Sequence, residues 1–340
     1  MRVLVTGVAG FIGSHVAAEL TQLGDEVYGI DDLSGGSREN VPAGVEFEQL
    51  DCGSDLENLF KEFCPEAVIH LAAYAAEGLS HHIPSFNYEN NLLATTRILN
   101  TSYKNGVQHF VFTSSIAAYG HPPTDRAFTE ATPCNPCDPY GIAKLACERQ
   151  IACYQTYYGG PKYTIFRPHN VFGPNQNISD PYRNVVGIFL RCVMQNSPLP
   201  VFGNGTQTRD FSYIDVVAKS IAASLRIERA ENEVFNIGGD ESHSVLDLAN
   251  RILEISQSDS KVEFLPARKE VQHAHADHSK ARNVFAEQFE TAKTFDEGLL
   301  ETWQHASKLP IPQETRCPSE VENWEQLPPS WVQSLKQGEG

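Results

Sequence analysis

The chain has 340 residues, with 26 Lys and Arg against 43 Asp and Glu, giving a formal charge of −17 at pH 7. Its length suits about two domains of roughly 150 residues each, and 41% hydrophobic with 20% charged residues is ordinary for a globular protein. So large an acidic surplus disfavours nucleic acid or an anionic membrane as a general partner, because both attract surfaces rich in Lys and Arg.

No run of about 18 apolar residues suggests a membrane span, and the first residues, Met1 to Gly7, hold no apolar stretch of signal-peptide length. The eight cysteines are too sparse for a disulfide scaffold and suit reduced thiols in the cytosol. Cys134-Asn-Pro-Cys137 stands alone in a Pro-rich loop, without the second pair that zinc requires.

In chain order, Val3–Thr6 reads as a short strand followed by glycines. Phe11–Leu23 has helical apolar spacing and stops at Gly24. Strands are expected at Glu26–Ile30 and Val45–Gln49, and a helix at Asp55–Phe63 ended by Pro65. Ala67–Ala73 is a continuous apolar run, the mark of a strand buried on both faces. Asn87–Asn105 reads as a long helix, His109–Thr113 as a buried strand, Tyr140–Tyr158 as a helix closed by Gly159-Gly160, and Lys162–Arg167 as a further strand. This alternation predicts a doubly wound parallel sheet. Beyond Arg167, loops rich in Gly, Pro and Asn separate helices at Val185–Gln195 and Tyr213–Ile227. The expected organisation is a dinucleotide-binding domain at 1–167 and a smaller, interleaved, mainly substrate-binding lobe at 168–308, some of whose segments return to the first domain. An extended tail at 309–340 is expected to dock through Trp324 and Trp331.

Two motifs carry chemistry. Gly7, Gly10 and Gly13 follow a strand and open a helix. In such a loop the first glycine permits a tight turn, the second lets a phosphate approach the backbone, and the third lets the helix pack close on the strand. The helix N-terminus then offers free N–H groups and a positive dipole end to a pyrophosphate. Asp31 ends the next strand, where a carboxylate accepts from ribose hydroxyls and repels a 2′-phosphate, favouring NAD over NADP. Tyr140 and Lys144 stand at i, i+4 on one helix face. Ser115 closes a strand-end Thr113-Ser114-Ser115, where ligands of doubly wound sheets bind. With a nicotinamide present, Tyr140 is the expected acid/base, its pKa lowered by the charges of Lys144 and the oxidised ring. Ser115 would position the reacting oxygen, and Lys144 would also hold the nicotinamide ribose.

The stretches TGVAGFIGSH, Ser115, YGIAK, RPHNVFGP and GNGTQTRDFSYIDV together resemble the extended short-chain dehydrogenase/reductase family, in its nucleotide-sugar epimerase branch, from Val3 to about Phe285. The resemblance implies a Rossmann-type sheet with NAD as cofactor. It implies cofactor contacts from Phe11, Ile12, Asp32, Ser34, Asp51, Cys52, Leu71, Ala72, Ala73, Asn90, Thr113 and Pro168 in addition to the glycines, Asp31, Tyr140 and Lys144. Toward a UDP-sugar it implies Asn170, Arg209 and Arg268 at the diphosphate, Asn184 and Val185 at the uridine end, and Glu270 at its ribose. Arginine suits the diphosphate because its planar fork bonds two oxygens at once. Glu77 is a candidate for sugar hydroxyls, along with Ser115 and Tyr140 at the reacting carbon.

Relatives that eliminate water or decarboxylate carry an acid just after the catalytic Ser/Thr, whereas this chain has Ile116-Ala117. The expected reaction is therefore oxidation and re-reduction at C4 of a UDP-hexose (UDP-glucose or UDP-galactose) through a 4-keto sugar. N-acetylhexosamine and uronate substrates stay open, as do a dehydratase or decarboxylase activity and a catalytically silent NAD-binding regulator. Ala274 falls near a position that limits pocket size in the family, which keeps room for an N-acetyl group. His273-Ala-His275-Ala-Asp277 invites a metal reading, since alternate strand residues share a face, but it falls where the family has a strand without metal. A homodimer through Asn87–Asn105 and Tyr140–Tyr158 is implied by the resemblance alone.

Overall fold

The computed structural model describes residues 1–121, 127–267, 273–328 and 331–332, with backbone alone at His273 and Ala274. Seven parallel strands form the main sheet: β1 (Arg2–Thr6), β2 (Glu26–Asp31), β3 (Glu46–Gln49), β4 (Ala67–His70), β5 (His109–Thr113), β6 (Lys162–Pro168) and β7 (Glu233–Ile237). Their order is β7-β6-β5-β4-β1-β2-β3. The order reverses direction at β1, so a crevice opens between the carboxyl ends of β1 and β4.

Alternation along β1 assigns the two faces. Val3 and Val5 pack with Ile69, Val111 and the helix α1 (Phe11–Gln22), in a core that continues into the second lobe through Phe189 and Val217. Leu4 points the other way, onto Val68, Phe110 and Phe112. That face is covered by α2 (Ala94–Lys104) and α3 (Pro139–Tyr158), through Ile98, Leu99 and Ile151. Helix α3 is framed by local chemistry: Asp138 accepts from Gly141 N at 2.8 Å, Pro139 fills the first turn, and Gly159 takes the left-handed end with φ 61°.

Three elements depart from the sequence expectation. The strand expected over Ala67–Ala73 stops at His70. Gly7 closes on the next residues so tightly that a Cβ there would lie 2.7 Å from Ala72 N. The chain must therefore leave the sheet, and the amides of Leu71 and Ala72 turn to Thr6 Oγ1 at 3.3 Å. The helix expected over Asn87–Asn105 is α-helical at Pro84–Asn87 and in α2, but widens to a π-helix at Tyr88–Leu93. Such bulges concentrate at functional sites. Finally, β7, a strand without an assigned span in the sequence, lies within 168–308 and pairs with β6 (Glu233 opposite Thr164, Ile237 opposite Pro168).

Candidate active site

The glycine loop has the form its spacing demands. Gly7 has φ +73°, and a Cβ on Gly13 would lie 1.9 Å from Gly7 O, so no other residue lets α1 start this close to β1. Gly10 N donates to Gly7 O at 3.1 Å, leaving the first turn of α1 facing the crevice. Asp31 is 8% exposed. It accepts from Ala9 N at 3.1 Å and Leu33 N at 2.8 Å, so the carboxylate that ends β2 is fixed beside the loop. Burial raises its pKa, and those two amide bonds oppose the rise. Asp32 holds Ser34 through its amide and hydroxyl (2.9 and 2.7 Å), and Asp51 takes Gly53 N at 2.7 Å. Burial pushes the Cys52 thiol up to about 12. A glycine-lined turn thus lies beside a row of carboxylates, the arrangement expected for phosphates and a ribose.

At the carboxyl ends of β5 and β6, α3 brings Tyr140 and Lys144 onto one buried face, with 7% and 3% exposure. The Lys144 ammonium donates to Thr113 O at 2.8 Å and lies 5.7 Å from the centre of the Tyr140 ring. Burial pulls its pKa down to about 8. Burial also pushes Tyr140 well above the ordinary phenol, with the Ser115 hydroxyl and then Arg183 opposing and Glu77 and Asp138 reinforcing. The sequence assigns the lowering role to Lys144 together with the oxidised nicotinamide ring. In the structure the groups that lower Tyr140 are Ser115 and Arg183, and the lysine's own charge is weakened by the same burial that raises the phenol.

All the predicted residues that are described line one cleft of about 2090 Å³. On the dinucleotide side these are Gly7, Gly10, Phe11, Ile12, Gly13, Asp31, Asp32, Ser34, Asp51, Cys52, Leu71, Ala72, Ala73, Asn90, Thr113 and Pro168. Glu77, Ser115, Tyr140 and Lys144 lie at its centre, and Asn170, Asn184, Val185 and Arg209 on the second lobe. Asn170 takes a left-handed backbone (φ 41°) and donates to Asp210 O at 3.2 Å. Asn184 caps the helix Val185–Met194, accepting from Val186 N at 2.9 Å and donating to Val171 O at 2.8 Å. Its side chain is thus committed to holding the segment in place. Arg268 and Glu270 lie outside the described residues. Among the described residues no group of three or more His, Cys, Asp or Glu is placed to hold a metal. His275 pairs instead with Asp210 at 2.6 Å.

Several residues in and behind the cleft wall carry no signal in the sequence. Asn91, beside the expected Asn90, accepts from Tyr74 N at 2.9 Å and donates to Tyr74 O at 3.1 Å, fixing the loop after β4. The π-turn carries this buried asparagine, and nothing in a helical periodicity separates it from its neighbour. Arg183 lies over Tyr74 at 4.6 Å and pairs with Asp180 at 2.9 Å, with its guanidinium against Gly35. Tyr182, Trp324, Gln326, Pro328 and Trp331 also line the cleft.

A glycine turn at the switch point of a doubly wound sheet, beside a buried phenol, hydroxyl and ammonium, is the layout expected of the α/β enzymes that work with a nicotinamide cofactor. The chain belongs to the NAD dependent epimerase/dehydratase family, whose model matches residues 3–238, and within it to the nucleotide-sugar epimerases of the extended short-chain dehydrogenase/reductase type. NAD is its cofactor. It is similar to a putative UDP-glucose 4-epimerase of Methanocaldococcus jannaschii, at 35% identity over 83% of this chain and 92% of the relative. Among solved structures it is similar to UDP-glucose 4-epimerase with UDP-glucose from Thermotoga maritima, at a TM-score of 0.85, 33% identity, and 91% and 99% coverage of the two chains. It is also similar to UDP-glucuronic acid 4-epimerase of Bacillus cereus in complex with UDP-glucuronic acid and NAD, at a TM-score of 0.81, 29% identity, and 91% and 99% coverage.

Proposed function

We propose that the protein interconverts the C4 epimers of a UDP-hexose, UDP-glucose and UDP-galactose, with Tyr140 as the acid/base. The observation that carries this reading is the placement of Tyr140, Ser115 and Lys144 on one wall of the cleft, followed on the chain by Ile116 and Ala117, which line the cleft and offer no acid. A proton on C5 therefore meets no base at that position, which disfavours dehydration and decarboxylation.

The residues divide the work. Tyr140 Oη takes the proton of the C4 hydroxyl and later returns it. The Ser115 hydroxyl, which lowers the Tyr140 pKa, places the reacting oxygen and favours the phenolate. Lys144, tied to Thr113 O, supplies positive charge beside the phenol and would hold the nicotinamide ribose. NAD, when bound, would supply reversible hydride transfer at the reacting carbon. Between the two transfers the 4-keto sugar must present its other face. That requires a firm grip on the nucleotide and a loose one on the hexose. Asn170, Asn184, Val185 and Arg209 are assigned to the grip, and Glu77, exposed at the head of the short helix Glu77–Ser80, to the sugar hydroxyls.

Tyr140→Phe tests the assignment. Turnover of UDP-glucose, followed by anion-exchange separation from UDP-galactose, should fall by about 10³-fold or more with NAD binding retained. An unchanged rate refutes the role. The homodimer implied by the family resemblance gains support from Leu93, Tyr103, Ile142 and Tyr157, exposed on the helices expected to pair. Light scattering at the monomer mass would remove it.

A further inference from the structure

The stretch from Pro310 to Pro328 crosses the cleft and is tied to both of its walls. On the second lobe, Gln195 Nε2 donates to Pro312 O at 2.6 Å, Arg191 pairs with Glu314 at 3.0 Å, and Thr315 N donates to Ser179 O at 3.0 Å. On the dinucleotide side, Ser85 donates to the Glu322 carboxylate from its amide and its hydroxyl (2.8 and 2.7 Å), and Glu322 N donates to His82 O at 2.8 Å. Between these ties Leu327 is 8% exposed, packed with Ala76, Leu79, Ile83 and Tyr182. This seated segment delivers Trp331 to the cleft.

Two contacts fix where Trp331 stands. Its ring meets Tyr182 edge-on at 5.1 Å between centroids, two residues before Asn184 at the expected uridine end. Its far edge reaches Gly78, where a Cβ would lie 3.2 Å from the indole carbon Cη2. Gly78 follows Glu77 and precedes Ser80, whose hydroxyl accepts from Tyr140 N at 3.2 Å. The indole therefore spans the interval between the acid/base and the nucleotide segment, which is the interval a hexose must occupy. A flat apolar face with one N–H donor at its rim suits a sugar ring, which presents C–H groups on its faces and hydroxyls at its edge. Glycine at position 78 is what lets the indole come this close.

We propose that Trp331, held by the C-terminal strap, is a specificity-determining residue of the hexose subsite, its indole forming the wall that limits the bulk of the sugar. The proposal rests on the UDP-hexose reading above. Truncating the indole should loosen the sugar end while leaving the nucleotide end as it was.

The test compares wild type, Trp331→Ala and Trp331→Phe, each loaded with NAD. Calorimetry measures binding of UDP and of UDP-glucose, and a turnover assay compares UDP-glucose with UDP-N-acetylglucosamine. In Trp331→Ala, UDP affinity should stay within twofold and UDP-glucose affinity should fall about tenfold. The kcat/KM ratio should move about tenfold toward the N-acetyl sugar, with the Phe variant between. Equal weakening of UDP and UDP-glucose, or no change in either affinity or ratio, overturns the proposal. Should the alanine variant fail to melt cooperatively, the phenylalanine variant decides by the same comparison. If wild type turns over no UDP-hexose, the C4 reading falls, while the calorimetric comparison, which needs no turnover, still decides the role of Trp331.

Discussion

Replacing Gly13 by alanine should strip the protein of NAD affinity without unfolding it. The added Cβ would stand 1.9 Å from Gly7 O and 2.7 Å from Gly7 C, where ordinary contact begins near 3.4 Å. All these atoms are backbone, so α1 must back away from the glycine turn by about 1.5 Å. A misplacement on the order of 1 Å can cost a positioned reaction roughly 100-fold in rate, and a loss of the same order is expected here in NAD affinity. At NAD equal to 100 times the wild-type Kd, bound cofactor stabilises the folded state by about 2.7 kcal/mol, whereas a variant 100-fold weaker gains only about 0.4 kcal/mol. An unfolding entropy of about 2.1 cal/mol/K per residue gives about 0.7 kcal/mol per kelvin for 340 residues. NAD should therefore raise the wild-type Tm by about 4 °C and that of Gly13→Ala by less than about 1 °C. Reading the increment rather than the Tm itself separates the cofactor from any cost to the fold. Gly24→Ala is the control, with φ +81° but nothing within 4 Å of its Cβ, so it strains the backbone far from the cleft. It should lower the Tm and keep the full increment. An equal NAD increment in Gly13→Ala would refute the role of the glycine turn.

Three further outcomes are expected. With the Lys144 pKa at about 8 in the folded protein against an ordinary 10.5, the folded state loses this proton first. Between those values the unfolded state binds more protons, so stability should rise with pH while turnover falls. Lys144→Arg, charged throughout, should remove the alkaline fall in a pH–rate profile. Arg209→Ala should raise KM for UDP-glucose by about 10- to 100-fold, the worth of charge-assisted hydrogen bonds to phosphate, with NAD affinity unchanged by calorimetry. Glu148→Gln breaks a buried pair in which Arg167 donates at 2.8 and 2.5 Å and Ser114 Oγ donates at 2.5 Å. Leaving that guanidinium uncompensated should cost about 3–5 kcal/mol, or about 4–7 °C in a melting scan.

What the sequence made legible was local. The glycine spacing, the acid ending β2 and the Tyr140–Lys144 pair each lie within one strand–turn–helix or one helical turn, so spacing alone determines geometry. The register of the π-turn was not legible, and Asn91 rather than its neighbour Asn90 clamps Tyr74. Ser115 was legible beside Tyr140, but Arg183 was hidden, because its charge acts on the phenol from beyond β6 and depends on Asp180 and Tyr74 for its place. The seating of the tail on Tyr182 and Leu79 leaves no periodic trace, since the contacts join residues roughly 140 to 250 apart in a segment without regular structure.

The return of β7 to the sheet has a consequence for how the chain is made. β6 is buried from Thr164 to Pro168, and its outer edge is covered only when Glu233–Ile237 arrives. Until then a ribosome-bound chain carries an apolar strand with open N–H and C=O groups, a template for pairing with another chain. The sheet cannot close on an N-terminal fragment ending near Arg167, because its last strand is encoded beyond much of the second lobe. Synthesis of the second lobe thus precedes completion of the first, and a nick or early stop between β6 and β7 should yield aggregation rather than a free dinucleotide-binding domain.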